Sequence, residues 1–220
     1  MPPSLQTEAV RPYYDALRSR RLSRSVKRLL DWVGAFLLLI LLSPVFLVLA
    51  VLVKTDSRGP VFYCQIRVTR YDRDFKIIKF RTMVQNADRI GAAVTRDADP
   101  RVTRIGRFLR RIRLDELPQL INVLKGEMSF VGTRPEVRRY VDAYTPEMYA
   151  TLLMPAGITS EASLTYKDEA EMLKRAEDVD RVYTTEILPQ KMAFNLNALK
   201  HFSLGSDLRT ALKTLTHVLH

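Results

Sequence analysis

The longest uninterrupted apolar stretch runs from residue 32 to residue 53 and carries no charge. About 20 such residues suffice for one helix to cross a bilayer. Ser43-Pro44 falls near its middle, where proline removes a backbone donor and clashes with the preceding turn, so a break or sharp kink is expected. Each half, roughly ten residues, then reaches ~15 Å, about half-way through the hydrocarbon. Cations flank both ends: Arg18, Arg20, Arg21, Arg24, Lys27 and Arg28 before, Lys54, Arg58, Arg67, Arg70 and Arg73 after. A spanning helix normally has one basic and one less basic end. Two basic ends favour a re-entrant helix–break–helix; a kinked single span is the competing arrangement. The run is too long for a secretory h-region and no small-residue cleavage site follows it.

Elsewhere the pattern is shorter in range. Residues 1–24 are polar, with Pro2, Pro3 and Pro12 and no sustained apolar period, which reads as a poorly ordered or surface-lying arm. After the turn signal at 57–60, residues 61–68 and 75–83 read as strands joined through Tyr71-Asp72-Arg73-Asp74, with Phe75, Ile77 and Phe80 on one side. Residues 86–104 are loop-like. Arginines at 101, 104, 107, 110 and 111, with Ile105, Phe108, Leu109 and Ile112, describe a two-faced basic helix. Leu117, Leu120, Ile121 and Leu124 keep helical spacing up to a stop at Gly126. Residues 140–153 read as helix, 155–159 as a turn, 162–166 as a short strand and 167–180 as a charged, helix-like segment. Two amphipathic segments, 187–200 and 207–219, close the chain; each suits the domain core or a bilayer surface equally well. The pattern predicts an α+β, mostly helical protein in three parts: an arm (1–24), a membrane helix (25–54) and a folded domain (55–220).

Composition narrows the chemistry. Lys+Arg outnumber Asp+Glu by 35 to 24, which favours polyanionic partners. The single cysteine, Cys64, excludes an internal disulfide or a multi-thiolate metal site. The histidines lie at 201, 217 and 220, so chemistry in the middle of the chain falls to carboxylates, Lys and Arg. No Walker loop, dinucleotide fingerprint, zinc spacing or internal repeat is present.

Asp115-Glu116, between the arginine stripe and the helix at 117–124, is the place where carboxylates stand out. Asp115 occupies an N-cap position, with Glu116 and Pro118 in the first turn. Capping alone would explain the pair locally; the same helix start would also hold a carboxylate ionised and favour phosphate. Like charges one turn apart along 101–113 repel unless a polyanion sits against them. Two rival readings rest on other residues: a membrane-anchored module, without catalysis, that binds nucleic acid or lipid through 101–113, and a metal-dependent glycosyltransferase using Asp97-Ala98-Asp99. The first lacks aromatics interleaved with the arginines, apart from Phe108.

Several segments, in order, carry a family resemblance: Lys27-Arg28-Leu29-Leu30-Asp31, Ser43-Pro44, Lys79-Phe80-Arg81-Thr82-Met83, Leu114-Asp115-Glu116-Leu117-Pro118-Gln119, Asn122-Val123-Leu124-Lys125-Gly126-Glu127-Met128-Ser129-Phe130-Val131-Gly132 and Arg134-Pro135. From about residue 25 onward the chain resembles the bacterial sugar transferases, or monotopic phosphoglycosyl transferases. The resemblance implies a monotopic protein with a re-entrant helix broken at Ser43 and Pro44, on the cytoplasmic face of the bacterial inner membrane among its lipids. It implies transfer of a sugar-1-phosphate from a UDP-sugar to a polyprenyl (undecaprenyl) phosphate, releasing UMP, as an early step of polysaccharide or glycoconjugate synthesis. Asp115 would be the nucleophile and a contact to Mg2+, with Glu116 its dyad partner. Lys79, Arg110 and Arg134 would face phosphates, Pro135 would lie near the nucleotide and Lys167 would add a basic residue. No nucleic acid is implied; a homodimer is allowed, and the sugar stays open. The chain departs from the usual pattern at Thr133, where proline is usual, at Thr69 and Asp72, where glycines are usual, and across 155–160, where a basic residue is lost.

Overall fold

The computed structural model describes residues 2–87, 99–166 and 178–219. In chain order its elements are α1 (Arg11–Ser19), α2 (Arg21–Leu41), α3 (Ser43–Asp56), β1 (Phe62–Thr69), β2 (Arg73–Phe80), α4 (Arg104–Arg111) and α5 (Gln119–Lys125). They continue with β3 (Met128–Val131), α6 (Arg138–Val141), β4 (Ala156–Thr159), α7 (Glu161–Thr165), α8 (Val179–Val182), α9 (Leu188–Lys200) and α10 (Leu204–Leu219). The α+β, mostly helical expectation holds, with two small two-stranded sheets.

The apolar run is two helices. α2 and α3 meet at Leu42 and are bent by 64°. Ser43 Oγ donates to the Ile40 carbonyl at 2.8 Å, and Pro44 sits in the first turn of α3, where its missing N–H is no loss. No single described helix is long and apolar enough to cross a membrane; the pair passes that test only together. Ala35, Leu49 and Val53 are buried against the body, whereas Trp32, Phe36, Ile40, Leu47 and Val51 are exposed. Polar stitches hold both ends to that body. Lys27 Nζ donates to the Val131 carbonyl at 2.9 Å, Arg28 Nη1 to the Val123 carbonyl at 2.7 Å, and Asp31 accepts from the Phe130 amide at 3.1 Å. At the other end Arg81 Nη2 donates to the carbonyls of Val53 (3.0 Å) and Ser57 (2.6 Å).

The arm is not surface-lying. Leu5, Val10, Tyr13 and Leu17 are buried in the core that holds Leu152, Leu153, Ile187, Leu188 and Met192. Positions 10, 13 and 17 form one face of a helical turn that the prolines and polar composition concealed. Each such side chain contributes ~1.5–3 kcal/mol by leaving water, enough to fix α1 against the body.

β1 and β2 form the expected hairpin, with Phe62 opposite Phe80 and Thr69 opposite Arg73. Phe75 and Ile77 enter one apolar cluster with Ala35, Leu120, Val123 and Met128. Phe80 enters another, with Leu49, Val53 and Leu109. The expected single side was wrong, because residues of opposite parity leave a strand on opposite faces. At the hairpin tip Tyr71 and Asp72 adopt φ of 61° and 59°.

Residues 155–159 are not only a turn: β4 pairs in parallel with β3, Met128 opposite Ala156 and Val131 opposite Thr159. Residues 162–166 are not a strand; Ser160 Oγ accepts from the Ser163 amide at 3.0 Å and starts α7. The helix expected over 140–153 splits into α6 and a 3-10 segment, Met148–Leu153, because Pro146 intervenes. Of the two terminal amphipathic segments, α9 packs on the core through Leu188, Met192 and Leu199. α10 is held by polar contacts (Lys27 to Asp207 at 2.5 Å, Thr159 to Thr214 at 2.8 Å) and leaves Leu208, Leu212 and Leu215 exposed.

Candidate active site

α4 begins with Thr103 accepting from the Gly106 amide at 3.0 Å and carries Arg110 in its last turn. The chain then reverses through Arg113, whose φ is 57°, into a tight 3-10 turn, Leu114–Glu116. α5 starts only at Gln119, with Pro118 at its cap position and no side-chain cap. Asp115 is therefore not the N-cap its place in the sequence predicts. It sits in a bend between two helices, 7% exposed, beside Glu116 at 8%.

What brings cations to this bend is Asn122, which is fully buried. Its Oδ1 accepts from the Ile78 amide at 3.0 Å, while Nδ2 donates to the Lys76 carbonyl (2.8 Å) and to Glu127 Oε2 (2.7 Å). The side-chain amide satisfies backbone groups of β2 and locks α5 to that strand. Lys79, one residue from the end of β2, consequently reaches Glu116: Nζ lies 2.8 Å from Oε1. Arg134 Nη2 lies 2.8 Å from the same oxygen. Arg110 is steadied by Thr82, with Nε donating to Oγ1 at 2.9 Å, and its charge acts on Asp115.

The Arg134 loop is stiff without proline at 133. Thr133 accepts from the Gly157 amide at 2.8 Å, and the Gly132 amide donates to Thr159 at 3.0 Å, extending the β3–β4 ladder. A Cβ on Gly157 would lie 2.2 Å from Gly132 backbone atoms, so only glycine permits this approach. Arg67 Nη1 donates to the Pro135 carbonyl at 3.1 Å, and the Val68 amide to the Glu136 carbonyl at 2.9 Å. The other departures also have local explanations. Thr69 Oγ1 donates to the Glu127 carbonyl at 2.6 Å and accepts from the Ala156 amide at 3.1 Å. Asp72 adopts a left-handed conformation that aspartate visits more readily than most residues.

The two carboxyl groups are unlike. Burial alone would raise Glu116, but Arg134 and Lys79 outweigh it and hold the group well below the usual carboxylate range. Burial pushes Asp115 up; Lys79 opposes the rise and the neighbouring Glu116 charge adds to it. Burial lowers Lys79, countered chiefly by Glu116. Among the described residues no hydrogen bond reaches the Asp115 carboxyl. The expectation that helix amides keep Asp115 charged is thus overturned: no cap forms, and the ionised anchor is Glu116.

The structure therefore gathers Asp115, Glu116, Lys79 and Arg134, with Arg110 acting by charge and Pro135 in the supporting loop. Ser43 and Pro44 belong to the helix bend. Lys167 and Asp97 lie outside the described residues, and Asp99 is paired with Arg101 at 2.6 Å. Asn122 and Thr82 fall within the segments that carry the family resemblance, but the sequence assigned neither a role. A polar Asn amid Leu120, Ile121, Val123 and Leu124 was the available signal.

No group of three His, Cys, Asp or Glu side chains able to cage a metal occurs among the described residues. That donor set still suits magnesium, which keeps several waters and binds through one or two carboxylates together with substrate phosphates. Glu116 Oε1 already accepts from two cations, whereas no hydrogen bond reaches the Asp115 carboxyl among the described residues, so Asp115 is the carboxylate that would hold the ion.

Residues 22–220 match the family model described as bacterial sugar transferase. The chain is 40% identical over 198 residues to a UDP-N-acetylgalactosamine-undecaprenyl-phosphate N-acetylgalactosaminephosphotransferase of Aeromonas hydrophila, covering 88% of this chain and 44% of that protein. It is 36% identical over 196 residues to a UDP-glucose:undecaprenyl-phosphate glucose-1-phosphate transferase of Caulobacter vibrioides, covering 88% and 69%. The exopolysaccharide production protein ExoY of Rhizobium meliloti is 32% identical over 228 residues, covering 97% and 90%. The chain thus spans less than half of the Aeromonas relative and most of the Rhizobium one.

Proposed function

The chain belongs to the bacterial sugar transferase family, and from that premise we propose that it transfers a sugar-1-phosphate from a UDP-sugar to undecaprenyl phosphate. The observation that carries the reading is the division of labour in the carboxylate pair. Glu116 Oε1 is held by both Lys79 and Arg134, while the Asp115 carboxyl beside it has no hydrogen-bond partner among the described residues.

In the first step an Asp115 carboxylate oxygen attacks the phosphorus that bears the sugar. The bond from that phosphorus to the oxygen bridging the diphosphate breaks, and UMP leaves. In the second, a phosphate oxygen of the lipid attacks the same phosphorus, the Asp115 carboxylate departs, and polyprenyl-diphosphate-sugar forms. A carboxylate approaches a diphosphate only when repulsion is cancelled. Lys79, Arg110 and Arg134 supply fixed positive charge for this, and Glu116 keeps two of them oriented. Magnesium, when held by Asp115 and the substrate, would supply further neutralisation of diphosphate charge. The buried, poorly solvated setting strengthens each of these interactions relative to water.

The bent pair α2–α3 serves this reaction as a re-entrant element. Its two ends are stitched to one folded body through Lys27, Arg28 and Arg81, whereas a span would place them ~30 Å apart across the hydrocarbon. The exposed Trp32, Phe36 and Leu47 then meet lipid, at the cytoplasmic face of the bacterial inner membrane. α10, with Leu208, Leu212 and Leu215 outward, lies on the interface.

The test is UMP release from a panel of UDP-sugars by the purified chain with magnesium and undecaprenyl phosphate. Wild type releases UMP with at least one sugar, and a phosphosugar is trapped on Asp115 in mass spectra. UDP as the product, or full turnover by Asp115→Asn, would falsify the mechanism.

A further inference from the structure

Away from the carboxylate pair, a cavity of ≈ 840 Å³ opens between α1, the first turns of α2, the β1–β2 hairpin tip and residues 153–155. None of Asp115, Glu116, Lys79, Arg110 or Arg134 lines it. Its walls are cationic. Arg18 and Arg21 are exposed, and no carboxylate faces either of them among the described residues. Arg21, Arg24 and Arg28 recur at three and four residues along one face of α2, a spacing at which like charges destabilise a helix. Across the opening Arg70 stacks on the Tyr71 ring, 4.2 Å from its centroid, and bonds the Tyr71 hydroxyl. The Arg70 Nε is buried and lacks a hydrogen-bond partner. Asp31 is the one carboxylate among the described lining residues, and the Phe130 amide already donates to it. Lys27 and Arg28 are likewise engaged, by Asp207 and the Val123 carbonyl. Arg24 donates to the Leu17 carbonyl at 3.4 Å, and among the described residues no carboxylate forms an ion pair with Arg18, Arg21, Arg24 or Arg70, so their positive charge is uncompensated.

Guanidinium groups gathered round one opening repel one another, and an anion shared among them relieves that repulsion. Arg forks match phosphate geometry and bind it through paired donors. We propose that this cavity is a second anion site, separate from the reacting carboxylates, that receives a phosphate group at the base of the apolar helix pair. The same chemistry is offered by an anionic lipid headgroup and by a soluble phosphorylated ligand. The site does not depend on the transferase reading, and its failure would leave that reading intact.

The test is amide hydrogen exchange across residues 11–31 and 69–72 of the full chain, which reads this cavity and not the 114–136 region. In detergent, inorganic pyrophosphate is expected to protect both segments. Arg18→Gln/Arg21→Gln/Arg24→Gln should weaken that binding about tenfold or more, since it removes three guanidinium groups that donate charge-assisted hydrogen bonds to phosphate. Arg70→Gln, a single change on the opposite wall, should weaken it as well. In nanodiscs of phosphatidylcholine with phosphatidylglycerol, protection without pyrophosphate assigns the phosphate to lipid. Protection by pyrophosphate alone, equal with and without phosphatidylglycerol, assigns it to a soluble ligand. If wild type shows protection in neither arm, or the arginine variants are protected like wild type, there is no anion site here.

Discussion

Two buried glutamates in this molecule are held by two cations each, yet they do different things. Glu136, 6% exposed, accepts from the Tyr183 hydroxyl at 2.6 Å and faces Lys191 at 3.8 Å and Arg67 at 3.9 Å. Glu116, 8% exposed, faces Lys79 and Arg134, both at 2.8 Å. Three residues on one stiff loop join the two clusters: Arg134 serves Glu116, the Pro135 carbonyl accepts from Arg67, and Glu136 carries the other cluster. The Glu136 cluster ties α9 to β1. Next to Glu116, a second carboxyl is left over, raised by burial and reached by no hydrogen bond among the described residues. Buried charge pairs are common supports; an extra acid beside a paired one, surrounded by cations, is the feature on which the proposed reacting position rests.

Asp115→Asn puts this contrast under the greatest strain. UMP release is expected to fall by at least about a thousandfold, since the proposed nucleophile is removed. Thermal stability at neutral pH should hold or rise, because burying the ionised Asp115 costs free energy that asparagine does not incur. Destabilisation together with retained turnover would reverse the roles of the two clusters. Glu136→Ala should do the opposite. Removing the carboxylate on which Tyr183, Lys191 and Arg67 converge is expected to cost about 3–5 kcal/mol in denaturant unfolding, with turnover of the folded fraction reduced only through the Arg134 loop. Gly157→Ala tests that loop directly. Its new methyl would collide with Gly132 backbone, at a cost of about 1–3 kcal/mol; KM for the UDP-sugar should rise more than kcat falls.

Acidity offers the mildest probe. Glu116 is depressed in the fold, so its contribution to stability is present above its unfolded value of about 4.5 and is lost as pH falls through the lower folded value. Asp115 is raised, so its effect has the other sign: relative stability is present below its unfolded value and lost as pH rises through the folded one. Glu116→Gln should therefore flatten acid unfolding, measured by denaturant midpoints across pH. In kinetics, the acid limb of kcat/KM should lie above the ordinary aspartate range, and Lys79→Met should move it further up, because Lys79 opposes the rise. A limb that stays put in Lys79→Met would disconnect Asp115 from that lysine.

Much of the architecture was legible along the chain. The apolar run with Pro44 at its middle pointed to a break or sharp kink, since proline removes a backbone donor and clashes with the preceding turn, and the two helices are bent there by 64°. The turn signal at 57–60 and the β-branched and aromatic residues after it located the hairpin, and Gly126, at φ 83°, ended α5 as its type predicts. Where local signals were weak, tertiary partners overrode them. Residues 156–159 became a strand because β3 offered a parallel edge, and the N-terminal arm folded because the main core gave Leu5, Tyr13 and Leu17 somewhere to go.

The order of amino acids alone was enough to limit which residues could be reactive: with every histidine near the C-terminus and a single cysteine, the adjacent pair Asp115-Glu116 amid arginines was the place to look. It could not say which acid was free. That was settled in three dimensions, where Asn122 docks α5 on β2, the β3–β4 ladder fixes Arg134, and both resulting cations choose the same Glu116 oxygen. Charge pairing depends on distances between residues far apart in the chain, and local sequence does not encode those distances.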